Sequence, residues 1–113
     1  MQDNVVRLET HGKFDEFWAA WYGTAGKRYA KEIFFKLISP EGKWSKLPDG
    51  TKIHLRASPQ QLIDAAIRYR EENCEEIAGK WYPLLEGRHG QDGPKKLPHA
   101  STWLNQGRYE DYE

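Results

Sequence analysis

Apolar residues recur along this chain with two different periods. Phe14, Phe17, Trp18 and Trp21 stand at i, i+3, i+4 and i+7, which is one face of a helix over 14–22. Gly23-Thr24-Ala25-Gly26 breaks the run, with Gly23 placed to cap it. A second helix fits 27–38: Tyr29 or Ala30, with Ile33, Phe34 and Leu37, forms its apolar face, and Pro40 ends it. The period then changes. Trp44 and Leu47 precede Pro48-Asp49-Gly50, and Ile53 and Leu55 alternate with His54 and Arg56, so residues 43–57 predict an inserted β-hairpin. Ser58-Pro59-Gln60-Gln61 is a helix start, with a serine cap and a proline in the first turn. The pattern Leu62, Ile63, Ala66, Ile67, Tyr69 carries that helix through 59–76.

The glycines and prolines of residues 87–98 predict a flexible loop. A last short helix follows at 100–106, opened by His99 or Ser101 and stopped by Gly107. So short a helix is unstable alone in water, because nucleation is costly, and Trp103-Leu104 must dock on the rest of the domain. The expected fold is mainly α: about four helices in a small bundle over 13–113, a hairpin-like insert at 43–57, and a polar extended arm at 1–12.

At 113 residues the chain has room for one core. Trp, Tyr and Phe offset the low apolar content, since each ring buries a large area. The net charge is zero, yet it is unevenly placed. Residues 22–57 hold eight basic groups against three acids, whereas 58–86 hold three against six. One basic face on a neutral molecule is the expectation.

Most chemistry is absent from the pattern. The single Cys74 rules out an internal disulfide and a cysteine zinc site, and His11, His54, His89 and His99 lack ligand spacing. No cofactor and no small-molecule substrate are therefore expected. No strand-to-helix turn presents a serine nucleophile, and Glu71-Glu72 with Glu75-Glu76 reads as a solvated acidic helix face. Gly23–Gly26 with Lys27 and Arg28 can hold a backbone phosphate at a helix start, or be a plain turn with solvated lysines. Trp44, Trp81 and Tyr82 lie beside loops, where a ring can stack on a base or fill a partner's pocket. With no signal peptide and no long apolar run, a cytoplasmic protein without a membrane segment is expected.

Four segments carry a resemblance. They are Phe14-Asp15-Glu16-Phe17-Trp18-Ala19-Ala20-Trp21-Tyr22, then Gly26-Lys27-Arg28-Tyr29-Ala30-Lys31 with Phe35-Lys36-Leu37, then Ala65-Ala66-Ile67-Arg68-Tyr69, and finally His99-Ala100-Ser101-Thr102-Trp103-Leu104-Asn105-Gln106-Gly107-Arg108-Tyr109-Glu110-Asp111. In this order they resemble a small helical module, often C-terminal, of bacteriophage replication proteins of the initiator or helicase-loader type and related phage proteins. Thr102-Trp103-Leu104-Asn105 is the most specific part. Gly23 stands where that family has proline and Tyr109 where it has tryptophan. The 43–57 insert is atypical, and the winged helix of the longer proteins has no counterpart here.

The resemblance implies a bacterial host cytoplasm and a DNA-replication context, with no catalytic residues to carry over. Two functions follow as expectations. The first is a non-enzymatic accessory protein that binds nucleic acid without sequence preference through Lys27, Arg28 and Lys31, helped by Lys95 and Lys96. The alternative is a protein-binding module, anchored by Trp44, Trp81 and Tyr82. It would act on a host helicase, a replication protein or a defence protein, in the manner of an anti-CRISPR inhibitor.

Overall fold

A computed structural model describes residues 12–112, and the arm expected over 1–12, with His11, lies outside them except for Gly12. Among the described residues there are four α-helices and three two-stranded antiparallel sheets. The order is α1 (12–20), α2 (Lys27–Ile38), β1 (Lys43–Lys46), β2 (Lys52–Leu55), α3 (Pro59–Asn73), β3 (Cys74–Ile77), β4 (Lys80–Pro83), β5 (Leu85–Glu86), β6 (Gly93–Pro94) and α4 (Ala100–Asn105). The bundle expected from periodicity is thus corrected to a mixed α/β arrangement.

The first hairpin forms where its turn chemistry places it. The Gly50 amide donates to the Leu47 carbonyl at 2.9 Å and the Leu47 amide to Thr51 at 2.8 Å. The Thr51 amide donates to Asp49 Oδ1 at 2.9 Å, which holds the Asp49 carboxyl below its usual range. α3 begins as expected: the Gln61 amide donates to Ser58 Oγ at 3.1 Å, and Pro59 opens the first turn.

α3 stops at Asn73, short of the expected 76. Continued helix would set Glu71 against Glu75 and Glu72 against Glu76 at i, i+4, at the end where the helix dipole already disfavours acids. The chain instead turns through Ala78 (φ 52°) and Gly79 (φ 81°), and Cys74–Ile77 pairs with Lys80–Pro83. Two positive φ values in a two-residue loop match the twist of a hairpin. The 87–98 stretch also differs from a plain loop. It carries a short 3₁₀ turn at Arg88–Gly90 and the β6 strand that pairs with β5. Gly23 is not a left-handed cap, since the positive φ at this corner belongs to Gly26.

The core is a stack of rings. Trp103 of α4 is fully buried, with ring centroids 5.2 Å from Trp21, 5.6 Å from Tyr69, 6.1 Å from Tyr109 and 6.3 Å from Phe17. Around it pack Phe14, Phe34, Leu37, Leu55, Leu62 and Leu104. Trp18, expected inside, is only partly buried against this cluster. The segment that follows α4 is drawn onto α3: Arg68 Nη1 donates to the Tyr112 carbonyl at 3.2 Å, and Tyr112 Oη to Glu72 Oε2 at 3.0 Å. Residues 99–112 are a clasp over the aromatic core.

Burial raises the pKa of three phenols, Tyr22, Tyr69 and Tyr112, and two of them move furthest. Tyr22 Oη donates to the Pro98 carbonyl at 2.9 Å, and its pKa is pushed up to about 12 by burial, then by Tyr69 and Cys74. Burial and the Glu72 carboxylate do the same to Tyr112, also to about 12. In the unfolded chain both ionise near pH ~10. Between these limits the unfolded state holds fewer protons, so stability is fully present below pH ~10 and falls as pH rises towards 12. Urea unfolding across alkaline pH should show this decline, and Tyr22→Phe with Tyr112→Phe should flatten it. An unchanged slope in the double variant would remove these phenols from the account.

Candidate nucleic-acid interface

α2 sets one group of cations. Gly26, at φ 73° and ψ 26°, precedes the helix without a side-chain cap, and no acid stands in the first turn. Lys27 and Arg28 are exposed there and Lys31 is half-buried one turn on. Ala30, Ile33, Phe34 and Leu37 take the buried side, so the basic row faces away from the core. Of the alternatives Tyr29 and Ala30, Ala30 is the core residue. Tyr29 is 68% exposed, directly beside Arg28.

The chain returns to this corner near its end. A Cβ on Gly26 would lie 3.9 Å from His99 Nδ1, and Tyr22 holds the Pro98 carbonyl. Lys96 is three residues before His99, a span of at most about 10 Å. Lys96 is exposed. Lys95 does not swing free: its Nζ donates to Asn73 Oδ1 at 3.3 Å and its amide to the Leu84 carbonyl at 2.8 Å.

The first hairpin sets a second group. Its register pairs Trp44 with His54 and Lys46 with Lys52. Strand alternation puts these four on one face, and all four are exposed. Ser45, Ile53 and Leu55 take the other face, towards the core, with Ser45 Oγ donating to Asn105 Oδ1 at 3.5 Å. Trp44 is 69% exposed, its ring centroid 4.9 Å from that of His54. His54 is fixed in turn, Nε2 lying 2.8 Å from the Glu41 carbonyl, which makes that nitrogen the N–H donor. Arg56, exposed, follows the end of β2 and lies beside Ile38 and Ser58, outside this face. Lys43 stands where hairpin and α2 meet; burial, then the nearby Lys36, lowers its pKa, and its Nζ donates to Ser45 Oγ at 3.2 Å. Lys27 and Lys36 lie about 14 Å apart along α2, so the two groups mark opposite ends of that helix.

The remaining expected anchors are arranged differently. Trp81 is half-buried beneath the Arg70 guanidinium, 4.3 Å from its ring centre, while Arg70 Nη1 donates to the Ala19 carbonyl at 3.1 Å. Trp81 thereby fastens the second hairpin to the helices. Tyr82 remains 46% exposed, on the second hairpin with the exposed Ile77. Glu71, Glu72, Glu75 and Glu76 are all exposed, the last two on a strand and not on a helix.

Periodicity misses three members of the Trp44 face: His54, Lys46 and Lys52. The alternation of residues 52–56 is visible in the sequence, but which residue meets Trp44 depends on the number of residues in the turn. Among the described residues no three His, Cys, Asp or Glu side chains gather as metal ligands, and no helix is long and apolar enough to cross a membrane. Comparison with protein families, curated proteins and solved structures finds no match to this chain.

Proposed function

We propose that this is a non-enzymatic accessory protein that binds nucleic acid through phosphate contacts, without reading sequence. The observation that carries the reading is the row Lys27, Arg28 and Lys31, on the solvent side of α2 at a helix start free of acids and of a side-chain cap. Cations there meet the positive end of the helix dipole, an arrangement that an approaching phosphate relieves. Lys96, exposed three residues before His99, adds to the row, whereas Lys95 contributes less because it is bound to Asn73. No base-reading element accompanies the row, so affinity rests on counterion release. The replication context, and a phage or prophage origin, rest on the resemblance of residues 13–112 to the phage module.

Replacing Lys27, Arg28 and Lys31 together by alanine should weaken binding about equally for unrelated sequences. The slope of log affinity against log salt on duplex DNA should become shallower by roughly 0.9 for each phosphate that the variant no longer neutralises. The melting temperature should move little, because Lys27 and Arg28 are exposed and Lys31, half-buried, lies off the core side set by Ala30, Ile33, Phe34 and Leu37. Anisotropy titrations over a salt series measure both binding quantities; wild-type protein that binds nothing at low salt would defeat the proposal.

A second reading has its own observation. Ile77, Tyr82 and Leu85 are large apolar side chains left exposed around the second hairpin. They suit a protein partner, and the alternative of a host-protein inhibitor rests on them more than on Trp81, which Arg70 covers.

A further inference from the structure

The outer face of the first hairpin holds an arrangement that its own stability does not require. Lys46 and Lys52 stand directly opposite one another, a pairing of like charges that destabilises a sheet. Among the described residues neither lysine has a carboxylate within ion-pair distance, the ion pair found there being Lys13–Glu16. Two residues along the strand from Lys46, with Cα atoms about 7 Å apart, stands Trp44. It is exposed over most of its surface and supported from the partner strand by His54. The acids nearest in sequence do not neutralise the face. Glu41 engages His54 through its backbone carbonyl, and the Asp49 carboxylate accepts from the Thr51 amide at the turn.

A flat, exposed π surface flanked by unpaired cations is complementary to an unstacked base between phosphates. Duplex bases are already stacked and cannot offer a face to Trp44. Base stacking on an aromatic side chain tolerates any sequence, because every base has a π face. The geometry points to a single-stranded nucleic acid lying across this face, with one base stacked on Trp44 and its phosphates on Lys46 and Lys52. This inference rests on the nucleic-acid reading above and adds to it a strand preference and a second contact surface at the far end of α2.

The test compares a labelled oligothymidylate with a labelled duplex of equal length at low salt. Four proteins are titrated: wild type, Trp44→Ala, Trp44→Phe and the Lys27, Arg28, Lys31 triple-alanine variant. Trp44→Ala should bind the single strand about five- to a hundred-fold more weakly, the range for losing one stacked base, while its duplex affinity stays within about twofold. Trp44→Phe should recover most of the loss. Trp44 is the one exposed tryptophan of the five, so single-strand binding should quench intrinsic fluorescence in the wild type and much less in Trp44→Phe. Thermal melts of both Trp44 variants should match the wild type, since the ring lies outside the core.

If Trp44→Ala leaves single-strand affinity unchanged while the triple variant loses affinity for both probes, this inference falls and the basic-helix reading stands. Equal loss on duplex and single strand also overturns it, making Trp44 a general support. If single-strand binding needs Trp44 but is untouched by the triple variant, the hairpin face stands and the α2 row falls. Wild-type protein that binds neither probe ends both, and leaves the exposed ring to a protein partner.

Discussion

Trp103→Ala is expected to cost roughly 3–5 kcal/mol of folding stability, the range for emptying a large aromatic from a core. Four rings surround Trp103, from α1, from the end of α1, from α3 and from the tail after α4, so no single neighbour can collapse into the space. α4 has six residues and cannot persist without this anchor. The loss should therefore reach the clasp as a whole, including the Arg68 and Tyr112 contacts. Trp103→Phe should cost at most about half as much. It gives up area, but it also removes an indole N–H that is buried without a hydrogen-bond partner among the described residues, a deficit worth about 1–3 kcal/mol. Urea unfolding of the three proteins measures both differences. Wild-type midpoints in Trp103→Ala would mean that the closing helix adds nothing to the core.

The second large effect is expected at Gly42. Its φ is 69°, and a Cβ there would lie 2.5 Å from the Leu55 carbonyl oxygen and 3.0 Å from His54 Nε2. Gly42→Ala thus adds a left-handed backbone penalty of about 1–2 kcal/mol to a collision with backbone that cannot swing aside. A total of about 2–5 kcal/mol follows from that penalty together with the usual cost of overpacking. Gly50→Ala separates the two causes. Gly50 has φ 91° but open space around it, so only the conformational cost, about 1 kcal/mol, should appear. Urea midpoints of the two variants give the comparison, and equal losses would show that close approach plays no part at Gly42. The same substitution pushes on His54, which supports Trp44, so single-strand affinity should fall even in protein that remains folded.

Features fixed by a few neighbouring residues are legible in advance. Ser58-Pro59 starts α3 and Pro48-Asp49-Gly50 turns the first hairpin, because each rests on hydrogen bonds spanning a handful of positions. Trp103 can be assigned to the core from the shortness of its helix alone. The second hairpin is hidden for the opposite reason. Ala78-Gly79 is not a typical turn pair, and the apolar pattern before it stays helical until charge repulsion among the glutamates ends it. At the candidate interface the cations of α2 follow directly from helical period. Trp44 can be named as an exposed ring, but its neighbours cannot, since they come from a register set by the turn. Lys95 lies in a glycine-rich stretch that suggests freedom, yet its bond to Asn73 joins residues 22 positions apart.

The ring cluster at Trp103 also orders events on the ribosome. Phe17 and Trp21 are made early and Tyr69 later, yet the ring that meets all three, Trp103, is made near the end and is met in turn by Tyr109. Chains grow by about 5–20 residues per second, so a nascent chain carries these aromatic faces uncovered for seconds. Closure has to wait until the clasp clears the exit tunnel, and folding of this domain is then a single late event. During that interval the aromatic faces of the emerging polypeptide stay open to solvent and to other chains.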